Sequence, residues 1–343
     1  MPAFNWNDSV NFLSKLTAPR LWNMVRVYSS YRLTRWLKRS VQWGLPVSVS
    51  FEPTTSCNLR CPECPSGLRA FSRPTGMLQK DFFRQTIDQL SRELLYLIFY
   101  FQGEPYLNPA FLEMVRYAAD RKIYTATSTN GHYLTEANAR KTVESGLDRL
   151  IISIDGTTQE TYQQYRVGGK LSKVLEGAAN IVKWKRELGS KTPYVIFQFL
   201  VVRHNEHQVD DVRRLAREIG VDDVRLKTAQ VYDFENDPNG LIPVNGKYSR
   251  YKKDKEGIMR FKGGSGHDHC WRLHHDPVIT WDGAVVPCCF DKDAQHQMGN
   301  LRDQSFKEIW NNQAYREFRA KILRGRKNID ICANCSEGVK VWG

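Results

Sequence analysis

The sequence predicts an α/β protein built on a parallel sheet, with a small cysteine-rich unit after it. Three observations carry that reading. From Val47 onward, short apolar strand signals alternate with helix-length amphipathic stretches, the pattern of consecutive βα units. The run LLYLIFYF at 94–101 is apolar throughout, as expected of a strand covered on both faces. After a polar stretch at 231–269, five further cysteines are distributed around an Asp-Gly hairpin signal.

The elements follow in order. Residues 1–46 read as a basic, aromatic helical segment without acids between Arg20 and Arg39. Arg32, Arg35, Lys38 and Arg39 share one helical arc, with Leu33, Trp36, Leu37 and Val41 opposite. Around 21–28 the apolar arc lies elsewhere, so a break is expected near Ser29-Ser30. A helical pair packed on the sheet domain accounts for this segment; contact with a membrane surface or a lipid is the sharper alternative. Residues 47–230 hold strands at 47–55, 94–101, 124–128, 149–154, 194–202 and 224–228. Helices at 79–93, 108–121, 135–145, 171–188 and 208–219 separate them. Residues 231–269, polar and rich in Gly, Asp, Asn and Lys, read as a linker or lid. Residues 270–343 hold two short strands joined at Asp282-Gly283 and a helix at 305–323.

Size and charge narrow the function. A chain of 343 residues accommodates one large domain and an appendage. No segment approaches the roughly 18 consecutive apolar residues of a membrane span. The amino terminus lacks the basic and apolar regions of a secretory signal. Eight cysteines in such a chain point to metal ligation in a reducing compartment, with the cytoplasm as the default. The net charge of +13 suits a membrane surface, nucleic acid or an acidic protein. No nucleic-acid-binding motif accompanies it, which disfavours that partner. An acidic flavodoxin or ferredoxin serving as reductant would suit the basic surface.

The chemistry concentrates in CNLRCPECP, directly after the first strand. Cys57, Cys61 and Cys64, spaced C-x-x-x-C-x-x-C, can hold three corners of a 4Fe–4S cube and leave one iron open. A zinc knuckle with a distant fourth ligand, in a non-catalytic zinc or nucleic-acid-binding protein, is the competing reading; it fits less well because zinc sites pair cysteines as C-x₂-C. The second strand ends in Gln102-Gly103-Glu104-Pro105, the third in Thr129-Asn130-Gly131, and the fourth carries Ser153 and runs into Asp155.

This series resembles the radical S-adenosylmethionine (SAM) superfamily. CNLRCPECP matches its cluster motif, QGEP its GGEP-type motif, and Ser153 with Asp155 its ribose-binding position. The resemblance implies a partial (β/α)6 TIM-type barrel, with the active site at the carboxyl ends of the strands. It also implies that Gln102, Gly103, Glu104 and Pro105 face the amino group of SAM, and that Asn130 and Arg166 stand at the same rim, Arg166 near the SAM carboxylate. Glu63 occupies a position where many members carry an aromatic residue. The segment WDGAVVPCC, then Gly299-Asn300, Glu308-Ile309-Trp310 and Cys332-Ala333-Asn334-Cys335, resembles the SPASM extension of the same enzymes. Carried over, Cys270, Cys288, Cys332 and Cys335 would hold one auxiliary 4Fe–4S cluster. Cys289 is left over, as an inert thiol, a hydrogen donor or a substitute ligand.

The implied reaction is reductive cleavage of SAM to a 5′-deoxyadenosyl radical, which abstracts a substrate hydrogen atom. With a single auxiliary cluster, dehydrogenation of a sugar- or cyclitol-like small molecule is the expected outcome. Modification of a peptide or protein side chain is the rival. The segment at 1–46 is short for a leader-peptide-binding domain, which favours the small molecule.

Overall fold

The computed structural model describes residues 6–262 and 267–341. Helices α1 (Trp6–Ser14) and α2 (Ala18–Leu37) precede the sheet. α2 passes through Ser29-Ser30 unbroken, contrary to expectation. The Ser30 hydroxyl is buried and donates to the Val27 carbonyl one turn back, so the helix itself satisfies it. The chain turns instead just before α2, where a proline occupies the first helical turn.

The barrel strands are β1 (Ser48–Phe51), β2 (Tyr96–Phe99), β3 (Tyr124–Thr129), β4 (Arg149–Ser153), β5 (Tyr194–Val201) and β6 (Asp223–Thr228). Each pairs in parallel with its sequence neighbour, the six-unit arrangement expected. Between them run α3 (Pro65–Leu68), α4 (Lys80–Leu90), α5 (Phe111–Asp120), α6 (Glu136–Glu144), α7 (Gln159–Tyr165), α8 (Leu171–Glu187) and α9 (Val209–Ile219). α7 was expected to be loop; Thr158 caps it by accepting from the Thr161 amide. Apolar faces of α4, α5, α8 and α9 close over the sheet: Phe83, Ile87, Met114, Val174, Ile181 and Val212 are fully buried in one core with Val49, Phe99, Ile152 and Phe197.

The stretch expected as linker or lid contains regular structure. It forms a hairpin of β7 (Tyr251–Lys253) and β8 (Met259–Phe261). Tyr251 stacks on Phe234 at 4.8 Å and joins a second core around the cysteine loop. Residues 263–266 of that stretch lie outside the described ones.

The carboxyl-terminal unit does not stand apart. After α10 (Arg272–His275), β9 (Val278–Ile279) pairs in parallel with β1, through Ser50–Val278 and Phe51–Ile279. β10 (Ala284–Val286) and β11 (Gly299–Asn300) follow antiparallel, making one nine-stranded sheet. The buried Glu52 carboxylate, at the end of β1, binds Arg73 at 2.5 Å and accepts from the Trp281 amide at 3.3 Å, tying hairpin to barrel. The helix expected at 305–323 is two: α11 (Phe306–Trp310) and α12 (Gln313–Leu323), with Asn312 capping the second. α13 (Asp330–Ala333) carries Cys332. Among the described residues no helix is long and apolar enough to cross a membrane.

Candidate active site

The first strand delivers the cysteine triad. Beyond β1, Thr54 bridges Met77, and the intervening chain folds back on itself: Cys64 N donates to Cys61 O and Leu68 N to Cys64 O, forming α3. The loop therefore stands over the carboxyl ends of the strands. It lines a cleft of about 290 Å³ together with Gly103, Glu104, Asn130, Ser153, Tyr165 and Arg166. Burial pushes the Cys57 thiol up to about 11, with Glu104, Cys61 and Cys64 adding to it. Burial also raises Cys61, beside Cys64 and against the opposing charge of Arg166. Three gathered thiols, of which Cys57 and Cys61 resist ionising alone, fit a cationic iron site that would supply the missing positive charge.

The second strand delivers the QGEP turn. Gly103 takes φ +74°, and a Cβ there would lie 2.2 Å from the Thr54 carbonyl oxygen, so only glycine lets this turn meet the cysteine loop. Its amide donates to Ser66 Oγ at 2.8 Å, and the Glu104 amide to Ser56 O at 2.8 Å. Gln102 Oε1 accepts from Ser66 Oγ at 3.5 Å and lies 3.9 Å from Cys64 Sγ. Pro105 is buried at the start of a short 3₁₀ turn. Glu104 is buried and binds across to the third strand, accepting from Thr129 Oγ1 at 2.7 Å and the Asn130 amide at 2.8 Å. Burial pushes it up to about 7 despite those donors.

A pH dependence follows from Glu104. Its folded value lies above the ordinary 4.5, so the folded chain holds a proton that the unfolded chain releases in between. That contribution is complete below the ordinary value and is lost as pH rises through 7, at a cost of about 2–3 kcal/mol. Metal-free protein should be harder to denature with urea at pH 5 than at pH 8, as far as this group is concerned. Glu104→Gln should flatten that difference; an unchanged profile would remove Glu104 as its source.

The third and fourth strands complete the rim. Asn130 Nδ2 donates to Asn58 Oδ1 at 2.7 Å and lies 3.9 Å from Cys57 Sγ, which brings it to the triad. Ser153 lines the cleft, but Asp155 does not. The Asp155 carboxylate is fully buried, accepting from Arg166 Nε at 2.5 Å and the Leu200 amide at 2.7 Å. Expected at a ribose diol, it instead holds a guanidinium in place. Arg166 reaches from Asp155 to Cys61 Sγ, 3.7 Å away. Burial opposes its charge, yet Asp155 and Cys61 hold its proton well above the usual range. Glu63, in place of the aromatic residue, accepts from the Tyr232 amide at 3.0 Å and Asn239 at 3.4 Å, fastening the segment after β6 onto the cysteine loop.

Two lumen residues went unread in the sequence. Tyr100 sits just past β2 and lines the cleft. Gln198, polar in the otherwise apolar strand YVIFQFLV, also lines it; that single interruption was the signal.

The second cysteine set gathers below the hairpin. Cys288 has Cys270 and Cys335 within electrostatic reach, and Cys332 has Cys270 and Cys335. A Cβ on Gly338 would lie 2.5 Å from Cys270 Sγ, so the last loop is closed tightly on this thiol. Arg326 is buried among Cys270, Cys332 and Cys335, and its Nε and one terminal nitrogen have no hydrogen-bond partner. A buried, incompletely satisfied guanidinium among thiols fits an anionic iron–sulfur cluster there. Cys289 accepts from Arg272 at 2.9 Å, and Arg272 also pairs with Asp276 at 3.3 Å. No three donors among the described residues converge on a single ion, and cubane donors need not, since each binds a different iron.

Comparison with known proteins agrees with this geometry. The radical SAM superfamily profile matches residues 51–216, and that of the SPASM iron–sulfur cluster-binding domain matches 270–336. The tungsten-containing aldehyde ferredoxin oxidoreductase cofactor-modifying protein of Pyrococcus furiosus is 27% identical over 320 residues, covering 83% of this chain and 86% of its own. PqqA peptide cyclase of Gluconobacter oxydans is 25% identical over 316 residues, covering 87% and 85%. The crystal structure of BtrN with AdoMet and 2-DOIA superposes with a TM-score of 0.54 at 19% identity, over 88% of this chain and 96% of that one, which shows a shared fold.

Proposed function

Since this chain belongs to the radical SAM superfamily and carries a SPASM iron–sulfur domain, we propose that it oxidises a small sugar- or cyclitol-like alcohol. The SAM-binding 4Fe–4S cluster and SAM supply the radical that takes a hydrogen atom from an unactivated C–H bond. Cys57, Cys61 and Cys64 hold three irons of that cluster. The carbonyls of the Gln102–Gly103 turn accept from the SAM amino group, Arg166 faces its carboxylate, and Ser153 offers a hydroxyl to the ribose. Asn130 steadies the rim beside Cys57, and Glu104 and Pro105 hold the turn's shape. Cys270, Cys288, Cys332 and Cys335 would hold the auxiliary cluster, which would supply an acceptor for the second electron of the oxidation.

One observation carries the oxidative reading. Tyr100 lines the SAM cleft and lies within electrostatic reach of Cys289, Arg272 and Asp276 in the carboxyl-terminal unit. Tyr100 thus links the cleft to Cys289, the neighbour of Cys288, which supports a path from a substrate in the lumen towards the auxiliary cluster. The cofactor-modifying relative points the same way, towards a small molecule. Peptide modification is the second reading, favoured by the peptide cyclase among the relatives.

The test is isotopic. Reconstituted, reduced protein is given SAM with a panel of sugars, amino sugars and cyclitols deuterated on carbon, and separately with peptides. Deuterium should move from one alcohol-bearing carbon into 5′-deoxyadenosine, with a ketone formed in equal amount. Transfer from a peptide alone would replace this reading with the second.

A further inference from the structure

Helix α2 reverses the usual amphipathic arrangement. Its buried residues are Arg20, Asn23, Val27, Ser30, Tyr31 and Thr34, mostly polar. Arg20, Asn23, Ser30 and Thr34 each have a hydrogen-bond partner. Arg20 donates to the carbonyls of Ser91 and Arg121 at 2.9 Å, and to that of Lys122; Asn23 exchanges two bonds with Leu45, and Thr34 two with Val41. The outward side is apolar: Leu21, Trp22, Val25, Tyr28 and Trp36 are 53, 64, 46, 40 and 79% exposed. An ordinary surface helix does the opposite. Val10 and Leu13 on α1 and Trp43 past α2 are exposed as well. Interleaved with the apolar side of α2 are the exposed cations Arg26, Arg32, Arg35 and Arg39, and α2 contains no acid. An apolar cavity of about 600 Å³ opens between α1, α2 and the start of β2, lined by Phe12, Leu21, Val25 and Leu95.

We propose that the α1–α2 face is a peripheral docking surface for an anionic phospholipid bilayer. Exposed tryptophans beside arginines on a helix without acids are suited to the headgroup region, rings at the acyl boundary and guanidiniums among phosphates. The same charge argues against a second copy, which would set Arg26, Arg32 and Arg35 against their own kind in a chain of net charge +13. Position separates docking from catalysis. Arg20 binds carbonyls just before β2 and β3, and Asn11 and Lys15 reach Asp148 just before β4, so the pair covers the amino ends of the strands. The cysteine triad stands at the carboxyl ends. A docked molecule therefore opens its cleft away from the bilayer, and the lipid is an anchor rather than the substrate.

Sedimentation of the reconstituted protein with vesicles tests this. It should partition onto phosphatidylcholine vesicles containing about one-third phosphatidylglycerol, remain in solution with phosphatidylcholine alone, and be released by salt near 0.5 M. Arg32→Gln with Arg35→Gln should weaken partition about 30-fold, at about fivefold per charge near an anionic surface. Trp22→Ser with Trp36→Ser should weaken it at least about tenfold. SAM cleavage should be unchanged in both variants. Wild-type protein that ignores the anionic vesicles overturns the proposal. So does equal binding by both variants, or a dimer by light scattering that the tryptophan variant dissolves without any vesicle binding.

Discussion

Cys57→Ala, Cys61→Ala and Cys64→Ala should each abolish 5′-deoxyadenosine formation, while Cys332→Ala and Cys335→Ala keep a measurable part of it. Each thiol of the first set lines the cleft that Arg166, Asn130 and the QGEP turn surround, so losing one removes a corner of the cluster that meets SAM. The second set lies in the carboxyl-terminal unit, grouped around Arg326. On the proposed function, removing it should interrupt the exit of the substrate's electron but not the encounter with SAM. Iron should fall from about eight to about four per chain in either set, two cubanes becoming one. Chromatography of reduced, SAM-treated protein reads the nucleoside directly. Nucleoside formation by the Cys61 variant at the wild-type rate would show that the two clusters are wrongly assigned.

Arg326→Met should act with opposite signs on the loaded and the metal-free protein. Buried, with two of its nitrogens lacking a hydrogen-bond partner, this guanidinium is a burden to the empty chain that its bond to the Glu337 carbonyl at 2.9 Å and its thiol neighbours offset only in part. Replacement by a similar apolar volume should be neutral or stabilising by up to about 3 kcal/mol in urea denaturation without iron. With the cluster bound, the same change removes a positive charge beside Cys270, Cys332 and Cys335. The reduced, more negative cluster loses more than the oxidised one. The auxiliary midpoint potential should therefore fall by about 60–130 mV, equivalent to one charged hydrogen bond of about 1.5–3 kcal/mol. Electron paramagnetic resonance during a redox titration measures it, and Arg326→Lys should recover part of the fall. A potential that does not move would place Arg326 outside the cluster's surroundings.

Legibility differed from residue to residue. Cys57, Cys61 and Cys64 on one loop and the QGEP turn on the next stood out in the sequence because the chemistry proposed for each depends on local spacing. The six strands were readable because burial on both faces leaves continuous apolar runs such as LLYLIFYF. The setting of Asp155 was not legible because its partners, Arg166 and the Leu200 amide, come from a loop and a strand distant in sequence. Ser30 was misread as a helix breaker because a serine bonded back onto its own helix looks, in sequence, like one at a turn. Tyr100 was hidden inside an apolar run whose strand ends one residue earlier, at Phe99.

The sequence alone determined the order of the βα units, the two cysteine sets and the radical SAM resemblance, since all three are written in periodicity and short spacings. Tertiary structure decided what those parts face. Parallel pairing of β9 with β1 merges the carboxyl-terminal unit into the barrel sheet and brings Arg272 and Cys289 within reach of Tyr100. Packing of α2 by its polar side leaves its tryptophans outward, because buried arginine, asparagine and threonine found backbone partners that no sequence pattern discloses. Such pairings join groups far apart along the chain, and their free energy exists only once the fold has brought them together.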